Sequence, residues 1–209
     1  MPISDDVLTK LPAESFETIS RKVRDGDILL CSANDPFSRL IAWSTKSPWS
    51  HVALAYRWPS LGRLIAFECV QHQGVHAVSL ERFISQTSSG TKPYPGKIVL
   101  ARHDVMGKKS RAEHADLVKS LADFAVDRMG DRFSNAEVLK IALRIIVGRL
   151  NRHMPKSLGA KDEFICSEYV ARCFDRIDIQ ILWDGLGFIA PADFARDPNV
   201  HAVARFRTR

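Results

Sequence analysis

Alternating apolar and polar positions predict strands through the first half of the chain. The clearest pattern is SHVALAYRW, residues 50–58, where large apolar side chains fill every second position and His51 shares the opposite face with two alanines. Residues 59–62 predict a turn that joins this strand to LIAFECV, residues 64–70, as a hairpin. Further strands are expected at residues 24–33 (after an opening turn), 74–80 and 97–103.

Helical spacing of apolar residues takes over in the second half. Helices are predicted at residues 35–45, 109–130 and 134–150. A fourth begins near Cys166, after the loop SLGAKDEF, and runs to residue 174, and a short one begins at Pro191 before a last strand. Asp35 is the expected N-cap of the first helix, with Pro36 at its first position. Gly130 is expected to end the second helix, and Ser134 with Glu137 forms a capping-box pattern at the start of the third.

This segregation of strands and helices predicts an α+β fold. An antiparallel sheet from the N-terminal half is expected to pack against helices that come mostly from the C-terminal half. The pattern contains no linker that would divide the chain, so we expect a single domain over residues 1–209 with a core at about 24–205.

Composition and charge narrow the classes of protein. The net charge is +6, but the basic residues are scattered and no nucleic-acid-binding motif accompanies them, so nucleic acid is not an expected partner. The N-terminus lacks a basic start followed by an apolar run, and residues 138–150 are too short and too charged to span a membrane. We therefore expect a soluble, cytoplasmic protein. The four cysteines are expected to be free thiols, since nothing predicts secretion.

Candidate chemistry centres on Cys166, in the segment EFICSEYVARCF. Cys166 lies near the predicted helix N-terminus, where the helix dipole lowers a thiol pKa and favours the nucleophilic thiolate. Cys173 lies mid-helix on the apolar stripe and is expected to be packed and inert. The alternative is that Cys166 is also a core thiol.

A thiolate nucleophile needs a base, and His51 is the preferred one of seven histidines. It begins a strand on the face opposite the bulky residues, whereas His72, His103, His114, His153 and His201 have polar or loop surroundings that predict solvent exposure. His76 is compatible with either environment. Glu68 lies within an apolar strand, where a carboxylate is costly unless paired, and the hairpin would bring it beside His51 to orient the imidazole. The alternatives are a backbone-bonded His51 and a solvent-facing Glu68.

A metal site is less favoured by the spacing. Cys69, His72 and His76 lie close to His51 and Glu68 in sequence, and His72-x3-His76 is a spacing seen in zinc sites. Gly74 separates the two histidines, however, and no Cys-x-x-Cys pair is present. Neither a metal nor another cofactor is expected.

The order of these motifs resembles the circularly permuted NlpC-type branch of the papain-like cysteine peptidases, which includes the YiiX/YaeF-like proteins. The resemblance rests on GDILL, then SHVALAY, then a strand with an acidic residue and finally ICSEYVARCF, and it extends from Asp25 to the APADF stretch. It implies Cys166 as nucleophile, His51 as general base and acid, and Glu68 as the orienting residue. It also implies that GDILL packs beside His51, with Asp27 structural.

The implied activity is that of a thiol hydrolase, a cysteine peptidase or amidase acting on a peptide-like or N-acylated small substrate. The same branch contains the lecithin:retinol acyltransferase group, so a lipid acyltransferase or thioesterase is an alternative, although the extra histidine of that group is missing beside His51. Residues 141–147 and the basic residues that follow could then contact lipid, or they could form a buried core helix. The third possibility is a non-catalytic binding module. The pattern does not indicate an oligomeric state.

Overall fold

A computed structural model describes residues 3–33, 36–85, 94–108, 111–134, 163–183 and 188–208. The strands within these ranges are β1 (Ala13–Glu14), β2 (Asp27–Ala33), β3 (His51–Trp58), β4 (Arg63–Val70), β5 (Gly74–Ser79), β6 (Gly96–His103), β7 (Arg132–Phe133), β8 (Glu163–Phe164) and β9 (Val200–Phe206). The helices are α1 (Asp5–Lys10), α2 (Phe16–Ser20), α3 (Pro36–Thr45), α4 (Leu80–Phe83), α5 (Asp104–Lys108), α6 (Arg111–Asp127), α7 (Cys166–Asp175) and α8 (Pro191–Arg196).

Seven strands form one mixed sheet in the order β1-β9-β6-β2-β3-β4-β5, which confirms the predicted α+β class. Every neighbouring pair is antiparallel except β1 and β9 at one edge, which are parallel. The C-terminal half contributes β9, so the sheet is not built from the N-terminal half alone. The short strands β7 and β8 pair separately.

Both faces of the sheet are buried. On one face, Leu54 and Phe67 pack in the same cluster as Tyr169 and Phe174 of α7, which contacts β3 and β4. On the other face the alanines of β3 pack in a cluster with Leu80 and other apolar residues. The alternation in β3 therefore separates two cores, and His51 lies on the alanine side as predicted.

A buried ion pair ties β2 to β6. Both oxygens of Asp27 accept hydrogen bonds from Arg102, at 2.6 and 2.8 Å, and the amide of Arg24 donates to Oδ2. The side chain of Asp27 is 1% exposed. Burial raises the pKa of Asp27 from its ordinary value, although the bonds from Arg102 and Arg24 oppose this shift. Asp27 is thus a structural residue at the start of β2, the strand that pairs with β3, which carries His51.

The remaining secondary-structure predictions have mixed outcomes. The strands at 50–58, 64–70, 74–80 and 97–103 are confirmed, as is the turn before β2. The first predicted helix is confirmed from Pro36 to Thr45, and the cysteine helix is confirmed from Cys166 onward, after the loop residues 163–164 that form β8. Three elements of the polar N-terminal segment, α1, α2 and β1, were not predicted, and neither was α5. Asp35 and residues 135–150 of the third predicted helix lie outside the described residues. Among the described helices, none has the length and apolar character needed to cross a membrane.

Candidate active site

The chain entering β3 is held firmly, and this fixes the position of His51. The amide of Ser50 donates to the Cys31 carbonyl at 2.9 Å, while Ser50 Oγ accepts from the Ala33 amide at 3.1 Å. The fully buried Trp49 donates from its indole nitrogen to the Ile3 carbonyl. With both preceding residues bonded, the His51 side chain projects from an anchored backbone.

Glu68 meets His51 across the hairpin. Leu54 is the register partner of Phe67, so the next residues along the ladder place Glu68 opposite Ala53. His51, two residues before Ala53 on the same face, is therefore a diagonal neighbour of Glu68. His51 Nε2 lies 2.8 Å from Glu68 Oε2, and the two side chains are only 18% and 12% exposed. The predicted adjacency of these two residues is confirmed, and Glu68 does not face solvent.

Cys166 begins α7 and completes a cluster with His51. Burial opposes ionisation of the Cys166 thiol, but the imidazole of His51 and the backbone amides of Val52 and Ser167 favour the thiolate and lower its pKa. Since Nε2 of His51 is engaged by Glu68, Nδ1 is the ring nitrogen left to face the sulfur. The α7 backbone is itself secured by Ser167, whose hydroxyl donates to the Ile189 carbonyl at 2.7 Å.

The three groups shift one another's ionisation. Burial alone would raise the pKa of Cys166, but the hydrogen bond and charge of His51 lower it below its ordinary 9.0. Burial would lower the pKa of His51, but Cys166 and then Glu68 raise it to about 10. Burial would raise the pKa of Glu68, but bonds from His51 and His76 lower it to about 2. The favoured state is thiolate, imidazolium and carboxylate.

The pKa values of the other three cysteines are shifted in the opposite direction. Burial raises the pKa of Cys31, Cys69 and Cys173 above the ordinary thiol value. All four cysteines are free, and Cys166 differs from its three counterparts in having both an imidazole partner and a lowered pKa. Cys173 is fully buried in the core, as its mid-helix position predicted.

A cleft of about 860 Å³ opens onto this cluster. It is large enough for a ligand of drug size. Its walls combine aromatic, amide and cationic side chains, among them Phe83, Tyr94, Phe133, Gln71 and Arg82. Phe83 also packs against the His51 ring, with 6.2 Å between centroids. The cleft could therefore accommodate both polar and apolar parts of a substrate beside the sulfur.

The histidines outside the predicted cluster divide into distinct groups. His76 joins the site by bonding to Glu68, a role that the sequence left open. His72 and His201 are exposed as predicted, whereas His103 is only 3% exposed and lies against Phe174, so its predicted solvent exposure is wrong. His114 is half-buried, and His153 lies outside the described residues.

The metal-ligating side chains of the described residues do not form a metal centre. Among the described residues, no group of three or more His, Cys, Asp and Glu side chains is arranged to hold a metal ion. Instead, the Nε2 atoms of His51 and His76 lie against the two carboxylate oxygens of Glu68. These nitrogen and oxygen atoms are therefore bonded to one another.

The structure thus combines an α+β fold with a buried cluster of Cys166, His51 and Glu68 in a cleft. The fold is similar to the crystal structure of the metalloprotein YiiX from Escherichia coli O157:H7 (DUF1105), with a TM-score of 0.59 and 18% sequence identity. The similarity covers 87% of this chain and 97% of that chain. No protein-family model and no curated protein matches the chain. The resemblance to YiiX-like proteins is thus confirmed for the fold, and circular permutation stays a prediction.

Proposed function

We propose that the protein is a thiol hydrolase that cleaves an amide bond in a peptide-like or N-acylated substrate. The observation that carries this proposal is the partnership of Cys166 with His51, which gives one cysteine of four a lowered pKa at the edge of a cleft. Glu68, bonded to the far nitrogen of His51, orients the imidazole and stabilises its protonated form.

The geometry supports a two-step reaction. The thiolate of Cys166 attacks the carbonyl carbon, a C–S bond forms, and the oxygen gains the negative charge. The backbone N–H of Cys166, at the start of α7, is available to stabilise that oxyanion. The C–N bond then breaks as Nδ1–H of His51 protonates the leaving amine. In the second step His51 takes a proton from water, the hydroxide attacks the thioester, and the thiolate leaves.

The pH range of activity follows from the ion pair. The thiolate forms as the pH rises through the lowered pKa of Cys166, below the ordinary 9.0. The imidazolium needed to protonate the leaving group is lost as the pH rises through about 10. We therefore expect activity to rise as the thiolate forms and to fall again as the imidazolium is lost near pH 10.

Lipid acyl transfer and thioester hydrolysis are the second candidate activities, and they differ from amide hydrolysis in their expected substrates. The aromatic side chains Phe83, Tyr94 and Phe133 in the cleft would also accommodate an acyl chain, which favours a lipid acyltransferase or thioesterase as the second candidate. YiiX is described as a metalloprotein, but the described residues of this chain offer no fitting donor set, and no step of the reaction proposed here uses a metal.

The first test is labelling of each cysteine with iodoacetamide from pH 5 to 9, read by peptide mass spectrometry, in the wild type and His51→Ala. We expect Cys166 to label fast below its ordinary pKa and to lose this advantage in His51→Ala, because the imidazolium stabilises the thiolate. Equal labelling of Cys166 and Cys173 would refute the proposal. A panel of peptide amides, N-acyl amides and fatty acyl thioesters then separates an amidase from an acyltransferase or thioesterase.

A further inference from the structure

Glu68 has a second imidazole partner. His76 lies directly opposite Glu68 in the β4–β5 ladder. Its Nε2 is 3.2 Å from Oε1, the oxygen that His51 does not use, and its side chain is 24% exposed. The carboxylate therefore bridges two histidines, one on each neighbouring strand.

Both ring nitrogens of His76 face acceptors. Nδ1 lies 3.2 Å from the Gly74 carbonyl, while Nε2 faces the Glu68 carboxylate. A neutral imidazole has a single N–H, so only the protonated ring donates to both acceptors. In agreement, the hydrogen bond to Glu68 raises the pKa of His76, although burial and the charge of His51 oppose this shift.

The support beneath His76 is rigid. Gly74 has a positive φ of 70°, and a Cβ at this position would lie 2.1 Å from the Asp131 carbonyl oxygen. The amide of Val75 donates to that same carbonyl at 2.9 Å, and the amide of Gly130 donates to the Val75 carbonyl. The turn after α6 thus fixes the start of β5, including the carbonyl that receives Nδ1–H of His76.

We propose that His76 is a positioning residue for the reaction of Cys166, which holds Oε1 of Glu68 so that Oε2 stays on His51. This inference rests on the proposed function. Glu68 on β4 and His51 on β3 act on His76 directly. The other titratable or charged residues that line the same cleft are Cys69, Arg82, Tyr94 and Cys166. Thiolate, imidazolium, carboxylate and imidazolium then alternate in charge along one chain of contacts.

The charge of His76 has a predictable effect on the thiol. A second cation near the cluster favours loss of the proton from Cys166, since that step adds a negative charge. Removing the cation should move the acid limb of Cys166 reactivity to higher pH. Removing the hydrogen bond should also free the Glu68 carboxylate to rotate away from His51, which lowers the rate at every pH.

The test separates these two effects with His76→Ala and His76→Gln, because glutamine retains an N–H donor but no charge. Iodoacetamide labelling of Cys166 is followed from pH 4 to 9 in both variants. We expect His76→Ala to move the acid limb up by about 0.5–1 pH unit and to lower the plateau rate. We expect His76→Gln to show the same pH shift while recovering part of the plateau rate.

His201→Ala is the matched control, since His201 is also a strand histidine paired with a carboxylate, that of Asp104, but lies outside the cleft lining. It should leave the profile unchanged. The inference is overturned if His76→Ala and His76→Gln both give the wild-type profile while Cys166 remains reactive and dependent on His51. If instead Cys166 is unreactive in the wild type, the proposed function itself fails. Circular dichroism checks folding, and His76→Gln alone decides the matter if His76→Ala is unfolded.

Discussion

Replacing Glu68 with glutamine tests the central ion pairing most directly. Glu68→Gln keeps the size and shape of the side chain but removes the charge that His51 and His76 share. One end of the glutamine amide is a donor, so it opposes an imidazolium N–H instead of accepting from it. We expect both the stability of the fold and the reactivity of Cys166 to fall.

The magnitude follows from the pKa of Glu68. The pKa is lowered from its ordinary 4.5 to about 2, which corresponds to about 3 kcal/mol in favour of the carboxylate at roughly 1.4 kcal/mol per unit. Because the folded-state pKa is depressed, this stabilisation is fully present above pH 4.5 and is lost as the pH falls through about 2. Between pH 5 and pH 3, about 2 kcal/mol of it should disappear.

Urea unfolding at pH 5 and pH 3 measures this effect. The free energy of unfolding of the wild type should exceed that of Glu68→Gln at pH 5, and the difference should shrink by about 2 kcal/mol at pH 3. Glu81→Gln is the control, since Glu81 is 67% exposed and lies 4.0 Å from Arg63, where an ion pair contributes little. A difference between wild type and Glu68→Gln that does not change with pH would refute the reasoning.

Substitutions at four further residues test separate parts of the structure. Cys166→Ser should reduce amide hydrolysis to background in the substrate panel. Cys173→Ser should retain Cys166 labelling but lower the free energy of unfolding by about 1–3 kcal/mol, because it buries a hydroxyl in the core. Labelling and urea unfolding measure these two effects of Cys173→Ser. Asp27→Ala should lower that free energy by about 3–5 kcal/mol by leaving the partly buried Arg102 guanidinium without a carboxylate partner, without altering Cys166 labelling. Arg82 lines the cleft, and none of the described carboxylates pairs with it. Arg82→Ala should therefore raise KM by up to about fivefold for substrates with a carboxylate near the scissile bond, and Arg82→Lys should restore part of the affinity.

The positions of His51, Glu68 and Cys166 could be predicted from sequence patterns of neighbouring residues. The alternation around His51 and the short turn at residues 59–62 were enough to define the hairpin, and the hairpin placed Glu68 beside His51. Cys166 could be expected at a helix start because an apolar stripe follows it at helical spacing. Each of these inferences uses residues that are close in sequence, where spacing determines orientation.

His76 shows what a fuller use of the same reasoning would have found. Val70 pairs with Gly74 around a tight turn, so Glu68 and His76 are equally far from its centre and must be direct partners. His103 shows what local pattern does not reach. It ends β6 in a polar context, yet Phe174 of the much later helix α7 covers it. Burial by a distant element leaves no local trace in the sequence.

The order of the three site residues along the chain has a consequence for biosynthesis. The ribosome makes the strands that carry His51 and Glu68 well before it makes α7 with Cys166. Until that helix docks on the sheet, the thiol has no imidazole and keeps an ordinary acidity. On the proposed function, the nascent chain would therefore be protected from premature acylation and from oxidation of an activated sulfur. The appearance of fast Cys166 labelling would then report the completion of folding.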